Sequence, residues 1–337
     1  MNLLFSLFAV AALALLGAFA GASAAGAAVV GIVIPYAALT ILLGGICYRI
    51  LRWASVPVPF SIATTCGQQK SLTWIRHSRI DSPASFAGVA VRMASEVLLF
   101  RSLFRNSGAG LVNSRLIQVE EKFLWAGALA FHYGILLVLL RHLRFFFVPV
   151  PSCVNLLERV DGFLQIGAPP VYLSDALLAA GLLFLFGRRL AAPLPRSLSL
   201  FADYFALWLI GGIAASGMLL RYVTRADVAG AKQLAMSLVS LHPAVPPALG
   251  PLFFAHWTLV CALAVYFPFS KLMHAGGVFL SPTRNLANDT RARRHVNPWN
   301  DPVKTHTYAE WEAEFHNKLR TAGFALEAED GGTTPTD

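Results

Sequence analysis

The sequence from Lys122 to Val148, KFLWAGALAFHYGILLVLLRHLRFFFV, is an apolar run that contains two histidines, His132 and His142. A run of this length can cross the ~30 Å hydrocarbon core of a bilayer as an α-helix, because about 20 residues suffice. The whole chain shares this character, since 56% of its 337 residues are hydrophobic and only 13% are charged. Soluble domains contain roughly a quarter charged residues. The sequence therefore predicts an integral membrane protein.

The chain contains six apolar runs of this kind, and none alternates every second residue as a barrel strand does. We predict an all-α bundle of six transmembrane helices, or five if the first is removed as a signal peptide. The first run lacks the basic segment that precedes a signal core, so we expect it to stay as a membrane helix. The six runs lie at about 2–22, 28–51, 122–148, 171–188, 200–223 and 250–274.

The distribution of Lys and Arg predicts the orientation, because short translocated loops avoid these residues. The segment 49–122 contains ten of them, which favours a cytoplasmic location. Both termini of this multi-pass protein of the cytoplasmic (inner) membrane are then also cytoplasmic, and the loops at about 149–170 and 224–249 face outward. The same bias accounts for the net charge of +9, so the charge gives no reason to expect nucleic-acid binding.

Four regions follow from this pattern. The connection between the second and third spans is long for a helical bundle, which favours a functional role, and part of it has the pattern of an amphipathic helix at about 87–104. A further short helix is expected at about 307–322. The regions are two N-terminal spans in 1–52, a cytoplasmic segment in 53–121, a four-helix unit in 122–275 and a cytoplasmic tail in 276–337.

Two spans carry four histidines, and ionisable residues inside a membrane are usually functional. His256 and His274 are 18 residues apart, which is five turns and about 27 Å along a continuous helix, whereas His132 and His142 are about 15 Å apart. Because the third and sixth spans run antiparallel, His132 faces His274 and His142 faces His256. Each pair can offer two neutral imidazoles to one haem iron, near one membrane face. Helix tilt and side-chain reach must absorb the unequal separations.

Other roles for these histidines stay open. They can relay protons in a haem-free transporter, or lie in a purely structural anchor. Zinc is disfavoured because it needs four converging ligands, and neither pair has a neighbouring cysteine or carboxylate. Arg141, Arg144 and Lys271 lie beside the histidines, where they can pair with haem propionates or anchor the helix ends at the interface.

The four cysteines form no C-x-x-C pair, so neither covalent haem attachment nor a local cluster is expected. Cys66, in the cytoplasmic segment, is the thiol that a partner's cofactor can approach. The others are Cys47, Cys153 and Cys261.

Two motifs in the four-helix unit resemble the cytochrome b (gamma) subunits of respiratory nitrate reductases. These are FHYGIL at 131–136 with His142, and FPFSKLMH at 267–274 with His256. The resemblance covers about 120–275 and implies two b haems stacked across the bilayer and quinol chemistry on the outer side. Nitrate-type subunits use a lysine after the third span at the quinol site, but residues 149–170 contain none. His142, Arg159 and Asp161 are therefore the available candidates there.

Segments outside that unit are similar to a narrower family, the DsrM membrane cytochromes of DsrMKJOP complexes. They are TCGQQKSL at 65–72, and SPTRN at 281–285 leading to RHVNPW at 294–299. This resemblance implies electron transfer between menaquinone and a cytoplasmic DsrK-like iron–sulfur subunit in dissimilatory sulfur metabolism. It also implies DsrJ-, DsrO- and DsrP-like subunits and a DsrC-like protein downstream. A nitrate-type gamma subunit is the alternative.

Overall fold

A computed structural model of the protein describes residues 1–56, 70, 74, 76–112, 115–163, 169–281, 284–289 and 305–326. The prediction for Cys66 and the DsrM-like stretch at 294–299 lie outside these residues. In chain order the principal helices are α1 (Asn2–Gly21), α2 (Ala24–Ala54), α3 (Phe86–Leu99), α4 (Lys122–Phe145), α5 (Ser152–Asp161), α6 (Leu173–Ala191), α7 (Phe201–Val223), α8 (Val228–Val239), α9 (Pro251–Phe269) and α10 (Tyr308–Thr321). Short helical turns lie at Arg101–Phe104, Pro193–Leu198, Lys271–Met273, His274–Gly277 and Val278–Leu280.

The predicted helical class is confirmed, with one small addition. Within the described residues, α1, α2, α4, α7 and α9 are long and apolar enough to cross a membrane. The connection before α4 also contains an antiparallel hairpin of two strands, β1 (Ser107–Val112) and β2 (Arg115–Glu120), paired from Ser107 with Glu120 to Val112 with Arg115. The protein is therefore a multi-pass helical membrane protein whose connection between α2 and α4 carries a hairpin.

The fourth predicted span, at about 171–188, corresponds to α6, a helix of 19 residues with charged residues near both ends. It lies antiparallel against α4, and glycines bring the two backbones close together. A Cβ at Gly134 would lie 2.7 Å from the Leu178 nitrogen, and one at Gly181 would lie 2.6 Å from the Phe131 nitrogen. Because α6 accompanies a spanning helix along most of its length, its position supports the prediction that it also spans.

The first helix is part of the bundle core. Val10 of α1 is buried against Leu209 of α7 and Leu259 of α9. Near the other end of α1, a Cβ at Gly17 would lie 2.7 Å from the carbonyl oxygen of Phe254. Such a close approach requires glycine. The packing agrees with the expectation that this segment stays as a membrane helix.

The last span departs from the prediction. We expected a continuous helix over 250–274, but α9 ends at Phe269, and Ser270 has an extended conformation with φ −112° and ψ 177°. Pro268 cannot donate an α-helical hydrogen bond, and the Ser270 hydroxyl accepts from the Leu272 amide to start a new helical turn. The chain therefore turns before His274, and the prediction that His256 and His274 lie on one continuous helix is wrong.

Candidate haem-binding histidines

The turn after α9 brings His274 to His132 of α4. The two ring centroids are 6.0 Å apart and the ring planes cross at 85°. We call them the inner pair, because the distribution of Lys and Arg predicts that this end faces the cytoplasm. Two imidazoles that bind opposite sides of one metal ion, through nitrogens at about 2 Å, place their ring centres about 6 Å apart. The separation of the inner pair therefore fits a single iron between the rings.

The outer pair consists of His142, at the end of α4, and His256 in α9. His142 lies near enough to His256 to affect its electrostatic environment. A Cβ at Gly217 of α7 would lie 3.2 Å from Cε1 of His256, so a larger residue there would press on the imidazole. The structure therefore brings together both histidine pairs that the antiparallel arrangement predicts.

Each of the four imidazoles uses Nδ1 for a hydrogen bond within the protein. His132, His142 and His274 donate to backbone carbonyls, which leaves Nε2 as the nitrogen available to a metal. Such a bond at the second ring nitrogen is typical of metal-binding histidines, because it fixes the ring and its tautomer. The bonds join His132 to Ala128 at 2.7 Å, His142 to Val138 at 2.7 Å, His274 to Lys271 at 2.8 Å, and His256 to the Ser216 hydroxyl at 2.9 Å.

The tautomer of His256 follows from the contacts of Ser216. The Ser216 hydroxyl donates its hydrogen to the carbonyl of Gly212 at 2.6 Å, so its oxygen accepts from Nδ1 of His256. His256 therefore also keeps Nε2 available. Among the described residues, no three His, Cys, Asp or Glu side chains converge into a metal site. A set of two ligands is what a haem needs, since the porphyrin nitrogens complete the coordination of iron.

Arg141, predicted to pair with a propionate, is paired with protein carboxylates. Its side chain is 9% exposed, Nε lies 3.0 Å from Asp161, and a second ion pair joins it to Asp175 of α6. Asp161 also accepts hydrogen bonds from the amide of Ser174 at 2.7 Å and from its hydroxyl at 2.6 Å. Arg141 and Asp161 therefore hold α4, α5 and α6 together.

An aromatic ring completes this cluster, which we call the outer network and define as Arg141, Asp161, Tyr172, Asp175, Arg221 and Tyr222. The guanidinium groups of Arg141 and Arg221 lie 3.7 and 4.0 Å from the centroid of the Tyr172 ring. The Tyr222 hydroxyl donates to Asp175 at 2.6 Å. Asp175 and Arg221 were not among the predicted site residues, although charged residues within predicted spans often mark functional positions. No comparable signal in the sequence marks Tyr172 and Tyr222.

The remaining predicted site residues also have definite positions. Arg144 forms an ion pair with Glu158 at 2.8 Å, and Lys271 forms one with Asp203 at 2.7 Å. Each of the two cations therefore has a carboxylate partner within the protein. Arg159, a candidate for the quinol site, is exposed at the surface of α5. Asp161, the other carboxylate proposed there, is buried in the outer network.

Phe100 is a contact of the inner pair that the sequence did not reveal. Its ring packs edge-on against His132 with centroids 4.9 Å apart. Phe100 has φ 49° and ψ 45°, a left-handed conformation that is uncommon for a residue with a side chain, and it ends α3. The Leu98 and Leu99 carbonyls accept hydrogen bonds from Tyr133 and Trp125 of α4. The connection between α2 and α4 is thereby fixed beside the inner pair.

A helical membrane bundle with one histidine pair toward each end defines a membrane subunit of the cytochrome b type. Residues 88–294 match the model of the family described as nitrate reductase gamma subunit. The chain belongs to this family, as the resemblance of its two histidine motifs predicted.

Two relatives share more of the chain. It is 45% identical over 280 residues to the Hdr-like menaquinol oxidoreductase cytochrome b-like subunit of Archaeoglobus fulgidus, covering 81% of this chain and 83% of the relative. The subunit of the same name from Archaeoglobus profundus is 41% identical over 276 residues, covering 80% and 82%. No solved structure matches the chain.

Proposed function

We propose that the chain is the membrane cytochrome b subunit of a menaquinol-oxidising complex and binds two b haems. His132 and His274 hold the inner haem, and His142 and His256 hold the outer haem. The observation that carries this proposal is the inner pair, whose rings are 6.0 Å apart with Nε2 of each available. The names of the two relatives, menaquinol oxidoreductase cytochrome b-like subunits, support the substrate.

The four histidines orient two one-electron carriers, since a bound haem supplies one-electron chemistry. Menaquinol gives up electrons at the outer pair, and a cytoplasmic partner receives them at the inner pair. The sides follow from the basic segment 49–122, which also places both termini in the cytoplasm. Oxidising quinol outside and delivering electrons inside contributes to charge separation across the membrane.

The partner we propose is a DsrK-like iron–sulfur subunit, accompanied by DsrJ-, DsrO- and DsrP-like subunits and a DsrC-like protein downstream. The DsrM-like segments at 65–72 and 281–299 support this choice. Both lie in regions predicted to face the cytoplasm, and the second begins seven residues after His274. Co-purification of a heterodisulfide-reductase-like iron–sulfur protein is the expected result, and co-purification of a molybdenum subunit pair would favour a nitrate-type complex instead.

The haem content of the purified complex tests the core of the proposal. We expect two protohaems per chain and b-type α and Soret bands in the reduced-minus-oxidised spectrum. His142→Ala and His256→Ala should each remove the same haem and abolish reduction by a menaquinol analogue. His242→Ala is the matched control, because His242 lies in the loop after α8 and its imidazole hydrogen-bonds to the backbone carbonyl of Ser240. A protein without b-type bands would instead support the haem-free proton relay.

A further inference from the structure

Phe100, the residue that ends α3, combines a strained backbone with a contact to the inner pair. Its φ of 49° lies in the left-handed region, which costs stability for a residue with a side chain and none for glycine. Glycine is accordingly the usual residue at such a helix end. A phenylalanine here makes the turn less stable, which points to a role for its ring.

Hydrogen bonds on both sides of Phe100 hold this conformation. The two carbonyls before it accept from side chains of α4 at 2.8 and 2.7 Å. After it, the buried carboxylate of Glu96 accepts from the amide of Ser102 at 3.1 Å and from its hydroxyl at 2.5 Å. A sparsely populated backbone conformation persists where its surroundings determine it in this way. The direction in which the Phe100 side chain leaves the backbone is therefore fixed.

The ring of Phe100 meets the imidazole of His132 edge to face. The centroids of these two rings are 4.9 Å apart and their planes cross at 89°, an arrangement that aromatic pairs prefer. Phe131 makes a second edge contact with the same imidazole, at 4.9 Å and 85°. The hydrogen bond from Nδ1 of His132 to the Ala128 carbonyl restrains one ring nitrogen. The two phenyl rings then limit rotation of the imidazole about that bond.

We infer that Phe100 is a positioning residue for the inner haem, which holds the imidazole plane of His132 across that of His274. The two imidazole planes cross at 85°. Phe131 belongs to α4 itself, whereas Phe100 belongs to the connection between α2 and α4. The geometry of the inner pair thus depends on a segment outside the four-helix unit. The inference rests on the proposed function, because it concerns a ligand of the haem proposed there.

Replacement of Phe100 by glycine separates the role of the ring from that of the backbone. Phe100→Gly removes the ring contact but relieves the left-handed strain, so the melting temperature of the purified complex should change little. In electron paramagnetic resonance, the largest g value of a low-spin ferric haem depends on the angle between its two imidazole planes. We expect the largest g value of the inner haem to fall as His132 rotates, whereas the outer haem keeps its signal.

The inner haem should also be held less firmly in this variant. Transfer of the inner haem to added apomyoglobin should become about two- to tenfold faster, as for the loss of one aromatic contact. His142→Ala assigns the two signals, because only the inner haem should remain in it. The rate of haem transfer and the g value are both measured without turnover of the complex.

Two further variants serve as controls. Phe100→Tyr keeps an aromatic ring and should retain the g value and the transfer rate of the wild type. Leu241→Gly is the matched control for the backbone, since Leu241 has φ 60° and is exposed in the loop after α8. It relieves the same kind of strain without removing an aromatic ring, so both haem signals should stay unchanged.

The outcomes separate the inference from the function on which it rests. An unchanged g value and transfer rate in Phe100→Gly would overturn the inference and make Phe100 a packing residue only. Equal changes in both haem signals with a lower melting temperature would also overturn it, because they would indicate a general loosening of the bundle. Either result leaves the proposed function intact. A wild type without b-type bands would instead contradict the proposed function, and the inference would fall with it.

Discussion

At the outer end of the bundle the cation Arg141 is buried between two carboxylates, whereas at the inner end Lys271 meets Asp203 with 78% of its side chain exposed. The backbone also differs between the two ends, being continuous at the outer end and interrupted at the inner end. α4 is helical through His142 to Phe145, but α9 stops at Phe269, and the chain reaches His274 through a separate turn. The cation beside His142 is thus buried with its carboxylates, whereas the cation beside His274 is exposed.

This difference indicates which end can rearrange. A buried ion pair is costly to break, because removing one partner leaves an uncompensated charge in a medium of low dielectric constant. An exposed pair is already hydrated and contributes little. We therefore expect the outer network to hold α4, α5 and α6 rigidly beside the outer pair. The inner end has charges that can exchange partners when another subunit docks.

The largest effect is expected for Arg141→Leu. The change leaves Asp161 and Asp175 without their shared cation and should lower the free energy of unfolding by about 3–5 kcal/mol. Thermal unfolding of the purified complex measures this loss. Arg144→Leu is the control, since Arg144 is 38% exposed and pairs only with Glu158 among the ion pairs found, and it should cost no more than about 1 kcal/mol. Equal losses for both variants would contradict the contrast between buried and exposed charges.

A smaller, pH-dependent effect is expected in the connection between α2 and α4. Burial alone would raise the pKa of Asp81, but hydrogen bonds from Arg105 and Arg101 outweigh it and hold that pKa below its ordinary value of 3.8. A carboxyl whose pKa is lower in the folded state stabilises that state above its ordinary pKa. This stabilising contribution of Asp81 is lost as the pH falls below 3.8 and through the lowered pKa of the folded state.

Hydrogen exchange of the α3 amides between pH 3 and pH 7 measures this contribution. The wild type should lose protection at the acid end of the range, and Asp81→Asn should already show reduced protection at pH 7. The expected cost of Asp81→Asn is about 1 kcal/mol, because the arginine side chains are 31% and 49% exposed and water screens both pairs. An acid transition of the same size in Asp81→Asn would assign the effect to another group.

The spans and the histidine pairing are the features that the sequence predicted well. Hydropathy identified the spans, because lipid forces the backbone of a spanning segment into continuous apolar helices. Antiparallel order then predicted which histidines meet. The break at Ser270 did not follow, because it depends on Pro268 and on the Ser270 hydroxyl starting a new turn. Averaged hydropathy does not detect it, since Phe269 before the break and Leu272 and Met273 after it are apolar.

The outer network was hidden for a different reason. Arg141 and its partner Asp175 are 34 residues apart, so their contact depends on how α4 and α6 pack. Glycines allow the two helices to pack closely, but the sequence alone does not reveal which helix will pack against a given glycine. Arg141 was accordingly predicted to pair with a cofactor, whereas the structure gives it protein carboxylates.

The smallest effect is expected for Lys271→Gln at the inner end. With 78% of the Lys271 side chain exposed, its pair with Asp203 should contribute no more than about 0.5 kcal/mol, and Arg189, 4.0 Å from the same carboxylate, remains as a second cation. The melting temperature and both haem bands should therefore stay as in the wild type. Selective loss of one haem, at unchanged global stability, would contradict the comparison, since it would mean that Lys271 exchanges Asp203 for a haem propionate. That result would restore the role predicted from its position beside His274.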